Sequence, residues 1–136
     1  MKYKVLTVRQ PYASLLVCGV KDVENRTRRT NYRGTVLIHA GARMHDVVSF
    51  LSERQEFTVE EIAIMMQVNE VDEQNLFGCI VGSVDIVDCV RDSASPWAER
   101  GQWHWVCRNA KVFSNPIRDI KGRLGLWDWE GNLILD

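Results

Sequence analysis

Leu6-Thr-Val-Arg-Gln-Pro-Tyr-Ala-Ser-Leu-Leu-Val-Cys-Gly-Val-Lys-Asp-Val-Glu-Asn-Arg26 sets a strand, a short helix and a row of opposed charges end to end. Val5 to Val8 reads as a strand. Pro11 suits the first turn of a helix, where its missing N–H has no partner to lose. Tyr12, Leu15, Leu16 and Gly19 then repeat at the spacing of one helical face, and Gly19 is a suitable residue to end the helix, so about two turns are expected. Beyond it Asp22, Glu24 and Arg26 share one parity and Val23 takes the other; in an extended segment Glu24 and Arg26 would face away from the core together. Arg9, Gln10, Ser14, Lys21, Glu24 and Arg26 are thus polar groups set among apolar anchors, and Arg28, Arg29 and Arg33 follow directly. An anionic ligand suits such a segment.

Working outward, Gly34 to Ala40 is a β run apolar enough to be central. Residues 44 to 70 change period: Val47, Val48, Phe50 and Leu51 make one helical face, and Ile62, Met65 and Met66 another. Thr58-Val-Glu-Glu61 between them has the spacing of a capping box. From Phe77 the pattern is almost all strand, over Gly78 to Val90, Gln102 to Cys107, Lys111 to Pro116, Leu124 to Trp129 and Asn132 to Leu135, separated by Gly, Asn, Pro and Asp turn signals. Short strands at even spacing predict a small barrel with two inserted helices.

The chain has 136 residues, 46% hydrophobic and 26% charged, enough for a single domain spanning 1–136 with a real core. No stretch approaches the apolar length of a membrane span, and the N-terminus lacks the apolar region of a signal peptide, so a soluble cytoplasmic protein is expected. The formal net charge of −1 hides an asymmetry. Residues 1–43 hold nine Lys and Arg against two Asp and Glu, whereas residues 44–136 hold eight against sixteen. A basic end points to nucleic acid, or simply to pairing with the acidic remainder inside one compact domain. Cys18, Cys79, Cys89 and Cys107 are far apart in apolar runs and read as buried thiols rather than a metal or disulfide framework. His39, His45 and His104 have no metal-ligand spacing, and no Gly-rich phosphate loop is present, so no metal, cofactor or nucleoside triphosphate is expected.

Gln10 to Arg26, together with Tyr32-Arg-Gly-Thr-Val-Leu-Ile-His-Ala40, Gly78 to Asp88, Trp103-His-Trp-Val106, Pro116 and Gly125-Leu-Trp127, closely resembles the ASCH (activating signal cointegrator homology) domain family over nearly the whole chain. The resemblance implies an α+β, PUA-like β-pseudobarrel of mixed strands, with a short N-terminal helix and an inserted helical pair. It also implies a cleft beside the barrel at a GxKxxExR turn, matched here by Gly19, Lys21, Glu24 and Arg26. Many members of the wider superfamily bind RNA or modified bases.

Lys brings a compact charge for a phosphate, Arg a planar donor fork, and Glu an acceptor for an amino or hydroxyl proton, a trio suited to nucleotide recognition as well as to a surface salt-bridge cluster. All five tryptophans fall between Trp97 and Trp129. Trp103 and Trp105, and again Trp127 and Trp129, share strand faces; Trp103 and Trp127 are expected in the core and Trp97, in a loop, as a stacking platform. The expected reading is a nucleic-acid-binding module for RNA or a modified nucleoside, with DNA as another ligand. Its ligand-binding residues would be Arg9, Gln10, Ser14, Lys21, Glu24, Arg26, Arg28, Arg29, Arg33 and Trp97, the three arginines at 28, 29 and 33 forming a phosphate-facing rim. The alternative is a hydrolase using the same cleft, with Lys21 and Glu24 catalytic. Some small bacterial relatives act as amidohydrolases on N4-acetylcytidine, and others are associated with ribonuclease activity. In the amidohydrolase pattern a Lys serves as base for a Thr three residues later; here that position holds Glu24, while Ser14, Thr27 and Thr30 are the other nearby hydroxyls. A third class, a protein-interaction adaptor, follows from the larger eukaryotic members.

Overall fold

The computed structural model describes residues 1–44 and 77–133. They form β1 (Lys2–Gln10), α1 (Tyr12–Val17), β2 (Val23–Arg26), β3 (Gly34–Met44), β4 (Cys79–Val90), β5 (Trp103–Ile117) and β6 (Leu126–Glu130). The strands make one sheet in the order β2-β5-β4-β3-β1-β6. β1 and β3 run parallel and every other neighbouring pair antiparallel, the mixed sheet the resemblance implies. The helical pair expected within residues 44–70 lies outside the described residues, apart from Met44, which ends β3.

The sheet is rolled. β1 and β2 are separated by three strands in its order, yet the Arg26 side chain on β2 donates to the Thr7 carbonyl on β1 at 3.0 Å. Trp105 of β5 is likewise buried in one cluster with Leu6 and Val8 of β1. A right-handed strand twist accumulated over six strands brings the far edge round in this way, giving a half-barrel with one short helix among the described residues. The alternation of β1 sorts its side chains: Leu6 and Val8 enter the main cluster with Val36, Ile38, Val84 and Ile86, whereas Val5 joins Leu37, Ile80 and Trp127 in a second one.

α1 closes the hollow of the half-barrel, contributing Ala13, Leu16 and Val17 to the main cluster. It begins where the Gln10 side-chain oxygen accepts from the Ser14 N–H at 3.1 Å, and ends at Gly19, whose φ of +82° suits a residue without Cβ. Packing is tight enough that a Cβ at Gly82 of β4 would lie 2.8 Å from Val17, so the helix rests on that bare backbone.

Several expectations are corrected. The strands expected at Gln102–Cys107 and Lys111–Pro116 are one continuous β5, because the turn signal at Asn109 (φ +54°) is absorbed by a bulge opposite β4, where its amide donates to Asp85 at 2.9 Å. Asn132 and Leu133 are not strand, and residues 134–136 lie outside the described residues. Cys18 is exposed at the end of α1, while Cys79, Cys89 and Cys107 are buried. Trp127 is buried as expected, whereas in the other pair Trp105 is the buried ring and Trp103 is half-buried against the same core.

A chain of hydrogen bonds crosses the second cluster. Trp127 Nε1 donates to Thr7 Oγ1 at 3.1 Å, the Thr7 hydroxyl lies 3.2 Å from His39 Nδ1, and His39 Nε2 lies 2.6 Å from the Ile120 carbonyl. Because a carbonyl only accepts, Nε2 carries the hydrogen and Nδ1 accepts from Thr7. Burial holds the His39 pKa below its usual 6.5, against the smaller opposing effect of the bond to Ile120. The unfolded chain therefore binds a proton more readily than the native one, and stability present above about pH 6.5 falls as the pH drops. Thermal midpoints measured between about pH 7.5 and 5.5 should decline in the native protein and less steeply in His39→Gln, which keeps one donor and one acceptor; equal slopes would remove His39 as the cause.

Candidate functional site

Lys21 stands between the turn that ends α1 and the first residue of β2, and the double return of the chain onto the Leu15 carbonyl, from the Val20 and Lys21 amides at 3.2 and 3.0 Å, turns it inward. Its side chain is 5% exposed. The Nζ donates to the Val23 carbonyl at 2.6 Å and to Glu24 Oε1 at 3.0 Å. The other carboxylate oxygen, Oε2, accepts from Arg26 Nε at 3.1 Å and Nη2 at 2.8 Å. Glu24 and Arg26 do share a face, as their parity requires, but Glu24 is buried rather than turned to solvent. Burial alone would raise its pKa; the charges of Lys21 and Arg26 and their hydrogen bonds outweigh that and hold it below the ordinary value of 4.5. Two cations on one carboxylate leave a surplus positive charge.

Above this triad opens a cleft of about 850 Å³, lined by Thr7, Val8 and Arg9 of β1, by Tyr12, by residues 21 and 24–27, and by residues 96–99 and Gln102 of the β4–β5 connection. The Tyr12 ring centre is 5.6 Å from Lys21 Nζ, and that of Trp105 is 5.9 Å from the Arg26 guanidinium carbon. The far wall is tied to β2 by side chains. Asn25 donates to the Trp97 carbonyl at 3.0 Å and accepts from the Glu99 N–H at 2.9 Å, and the Ser95 hydroxyl bonds Asp22. From β5, His104 Nε2 lies 2.7 Å from the Glu99 carbonyl, and its Nδ1 accepts from the Ser93 N–H at 3.2 Å. Trp97 is consequently half-buried on Leu15 rather than standing free.

Of the residues the sequence singles out, the fold gathers Arg9, Lys21, Glu24, Arg26 and Trp97 around the cleft. Gln10 and Ser14 are buried at the start of α1, bonded to each other, and do not line it. Arg28 and Arg29 are exposed in the β2–β3 connection, outside the lining. Arg33 donates to the Thr30 and Tyr32 carbonyls and lies 3.8 Å from Asp88, away from the cleft wall. Among the hydroxyls considered as nucleophiles, Thr27 lines the cleft, while Thr30 is buried and accepts from the Tyr32 N–H. The lining also includes Tyr12, Asn25, Glu99 and Gln102, which the sequence does not single out. Asn25 has the wrong parity for the site, and Glu99 and Gln102 arrive from more than seventy residues away, so no local pattern marks them; the pair Pro96-Trp97 is the one local signal in that loop.

Chemically, the cleft offers two aromatic faces, the guanidinium groups of Arg9 and Arg26, and the carboxylate of Glu99. These suit a flat ring bearing an anionic substituent. Cys107 lies near the triad with its pKa pushed up to about 12, by burial first and by the Glu24 charge next, so its thiol stays protonated and supplies no nucleophile.

A profile of the ASCH domain matches residues 6–117. Activating signal cointegrator 1 of Homo sapiens is 28% identical over 145 aligned residues, covering 94% of this chain and 22% of its own length. The Mus musculus protein of the same name is 32% identical over 87 residues, 62% of this chain and 14% of its own. The chain thus spans about a fifth of the human relative.

Removing the carboxylate should expose how far the triad depends on it. Glu24→Gln leaves two cations facing each other in a buried site and should cost about 3–5 kcal/mol in urea unfolding. Because the native pKa of Glu24 is lowered, its contribution is present above the unfolded value near 4.5 and is lost as the pH falls through the native one, so the variant should also lose part of the native acid dependence. A change below about 1 kcal/mol would mark the triad as a solvated surface pair.

Proposed function

The chain belongs to the ASCH domain family, and from that membership and the chemistry of its cleft we propose that it binds nucleic acid, taking single-stranded RNA or a modified nucleoside between Tyr12 and Trp97. The observation that carries this reading is the buried Lys21–Glu24–Arg26 triad set beneath aromatic side chains. Isolated surface ion pairs contribute little, and a charged cluster withdrawn from water carries a large desolvation cost. Its placement at the floor of an open cleft is what a site built around an anionic ligand requires.

In this reading a base lies against Trp97 or Tyr12, Arg26 presents the face not used by Glu24, and Arg9 meets a phosphate. Glu99 and Gln102, joined by a hydrogen bond of 3.0 Å, supply polar groups at the mouth for the exocyclic atoms of a base. Glu24 acts as an organiser, since both of its oxygens are occupied by cations; it fixes the donor forks rather than taking a proton. The basic N-terminal third of the chain adds a long-range attraction for polyanions.

The test uses labelled single-stranded RNA and, separately, N4-acetylcytidine, following retention and product together. Trp97→Ala should weaken RNA retention by tenfold or more, because stacking on an aromatic side chain is worth about 1–3 kcal/mol per base. Arg9→Ala should lower the dependence of affinity on salt by close to one phosphate. Unchanged binding in both variants would remove the cleft as the site. Product formation that disappears in Lys21→Ala would replace the binding reading with a hydrolase.

A further inference from the structure

The connection between β5 and β6 carries Arg118-Asp-Ile-Lys-Gly-Arg-Leu-Gly125, three cations and one acid in eight residues. It is not a loose loop. The Ile120 N–H donates to the Gly78 carbonyl at 2.9 Å, and the Ile120 carbonyl is the group held by His39 at 2.6 Å. Gly122 is pressed against β1 so closely that a Cβ there would lie 3.0 Å from both the Thr7 side chain and the His39 ring. Thr7 is itself a cleft residue, and its carbonyl anchors Arg26. The loop therefore touches a residue that also lines the cleft, and Lys121 and Arg123, on either side of Gly122, are exposed. Neither is held by a hydrogen bond or an ion pair among the described residues, in contrast to Arg33, whose guanidinium is engaged with Thr30, Tyr32 and Asp88.

We propose that this loop is the phosphate-binding rim of the cleft, with Lys121 and Arg123 holding the backbone of a single-stranded RNA on the β1 side while one nucleotide occupies the cleft. The assignment rests on the nucleic-acid reading above and deepens it, moving the rim from Arg28, Arg29 and Arg33 to the opposite end of the sequence. Cations fixed by a pinned backbone and free at their side chains are suited to phosphates, which need charge without base recognition. Arg9, exposed near the end of β1 two residues from Thr7, lines the cleft together with the triad. A strand lying there would pass from Arg123 and Lys121 across β1 to Arg9 and Arg26. Leu124, 98% exposed beside Arg123, would lie against the sugar or base of the outermost nucleotide.

A labelled ten-nucleotide RNA, titrated at several salt concentrations, tests this in the full chain. The double variant Lys121→Glu/Arg123→Glu should lose affinity by tenfold or more. The neutral pair Lys121→Gln/Arg123→Gln should reduce the slope of log K against log salt by about 0.7 for each phosphate no longer neutralised. Exchange of the cations, Lys121→Arg/Arg123→Lys, should retain both affinity and slope. The loop variants should keep the native thermal midpoint, because neither side chain takes part in packing. If the loop variants bind as tightly as the native protein while Arg28→Glu/Arg29→Glu does not, the rim assignment is wrong and the cleft reading stands. If the native protein fails to retain the RNA at low salt, both fall together.

Discussion

A carboxylate taken out of water with a cation on each oxygen persists only while both cations stay in place, and Glu24 is in that position between Lys21 and Arg26. Each cation has a second anchor that belongs to the fold. Lys21 also holds the Val23 carbonyl, which fixes the entry into β2, and Arg26 also holds the Thr7 carbonyl, which joins the edge strand β2 to β1 across the hollow of the sheet. The triad thus joins β2 to β1, two strands with no backbone ladder between them among the described residues. The hydrophobic clusters contribute far more to stability in total, since burial of apolar area is the dominant favourable term, but they are non-directional. The ladder with β5 sets the register of β2, and the ion triad ties that strand to β1.

The same geometry separates the two sides of the cleft. The floor is charged, buried and internally satisfied, whereas Arg9, Lys121 and Arg123 are exposed cations with no hydrogen bond or ion pair among the described residues.

Much of the architecture can be read from local pattern, and particular elements show where local pattern stops. α1 is legible because Pro11, the spacing of Tyr12, Leu15 and Leu16, and Gly19 all agree, and agreement among independent signals is what specifies an element. The apolar cores of β3 and β4 are legible for the same reason. β5 is not legible as one strand, because Asn109 is a good turn residue and sequence alone does not distinguish a turn from a bulge that uses the same left-handed backbone. At the site, Lys21, Glu24 and Arg26 can be grouped from spacing and from a family resemblance, but the wall opposite them cannot. The bonds from Asp22 to Ser95 and from Asn25 to Trp97 and Glu99 join residues more than seventy positions apart, and no periodicity reports such pairings. Gln10 and Ser14 fail as lining residues because polar side chains near a helix start serve the helix first.

Asn25 sits between Glu24 and Arg26 in the sequence and bonds the backbone on both sides of Ala98, so the strand that carries the floor also carries the wall. Floor and wall are therefore tied to one another through a single side chain, which restrains Trp97 relative to the guanidinium of Arg26. A ligand entering such a slot meets groups whose rotational freedom was surrendered when the chain folded. The entropy lost on association then falls mainly on the ligand and on the exposed Arg9, which favours a compact, planar group such as a single base in the slot.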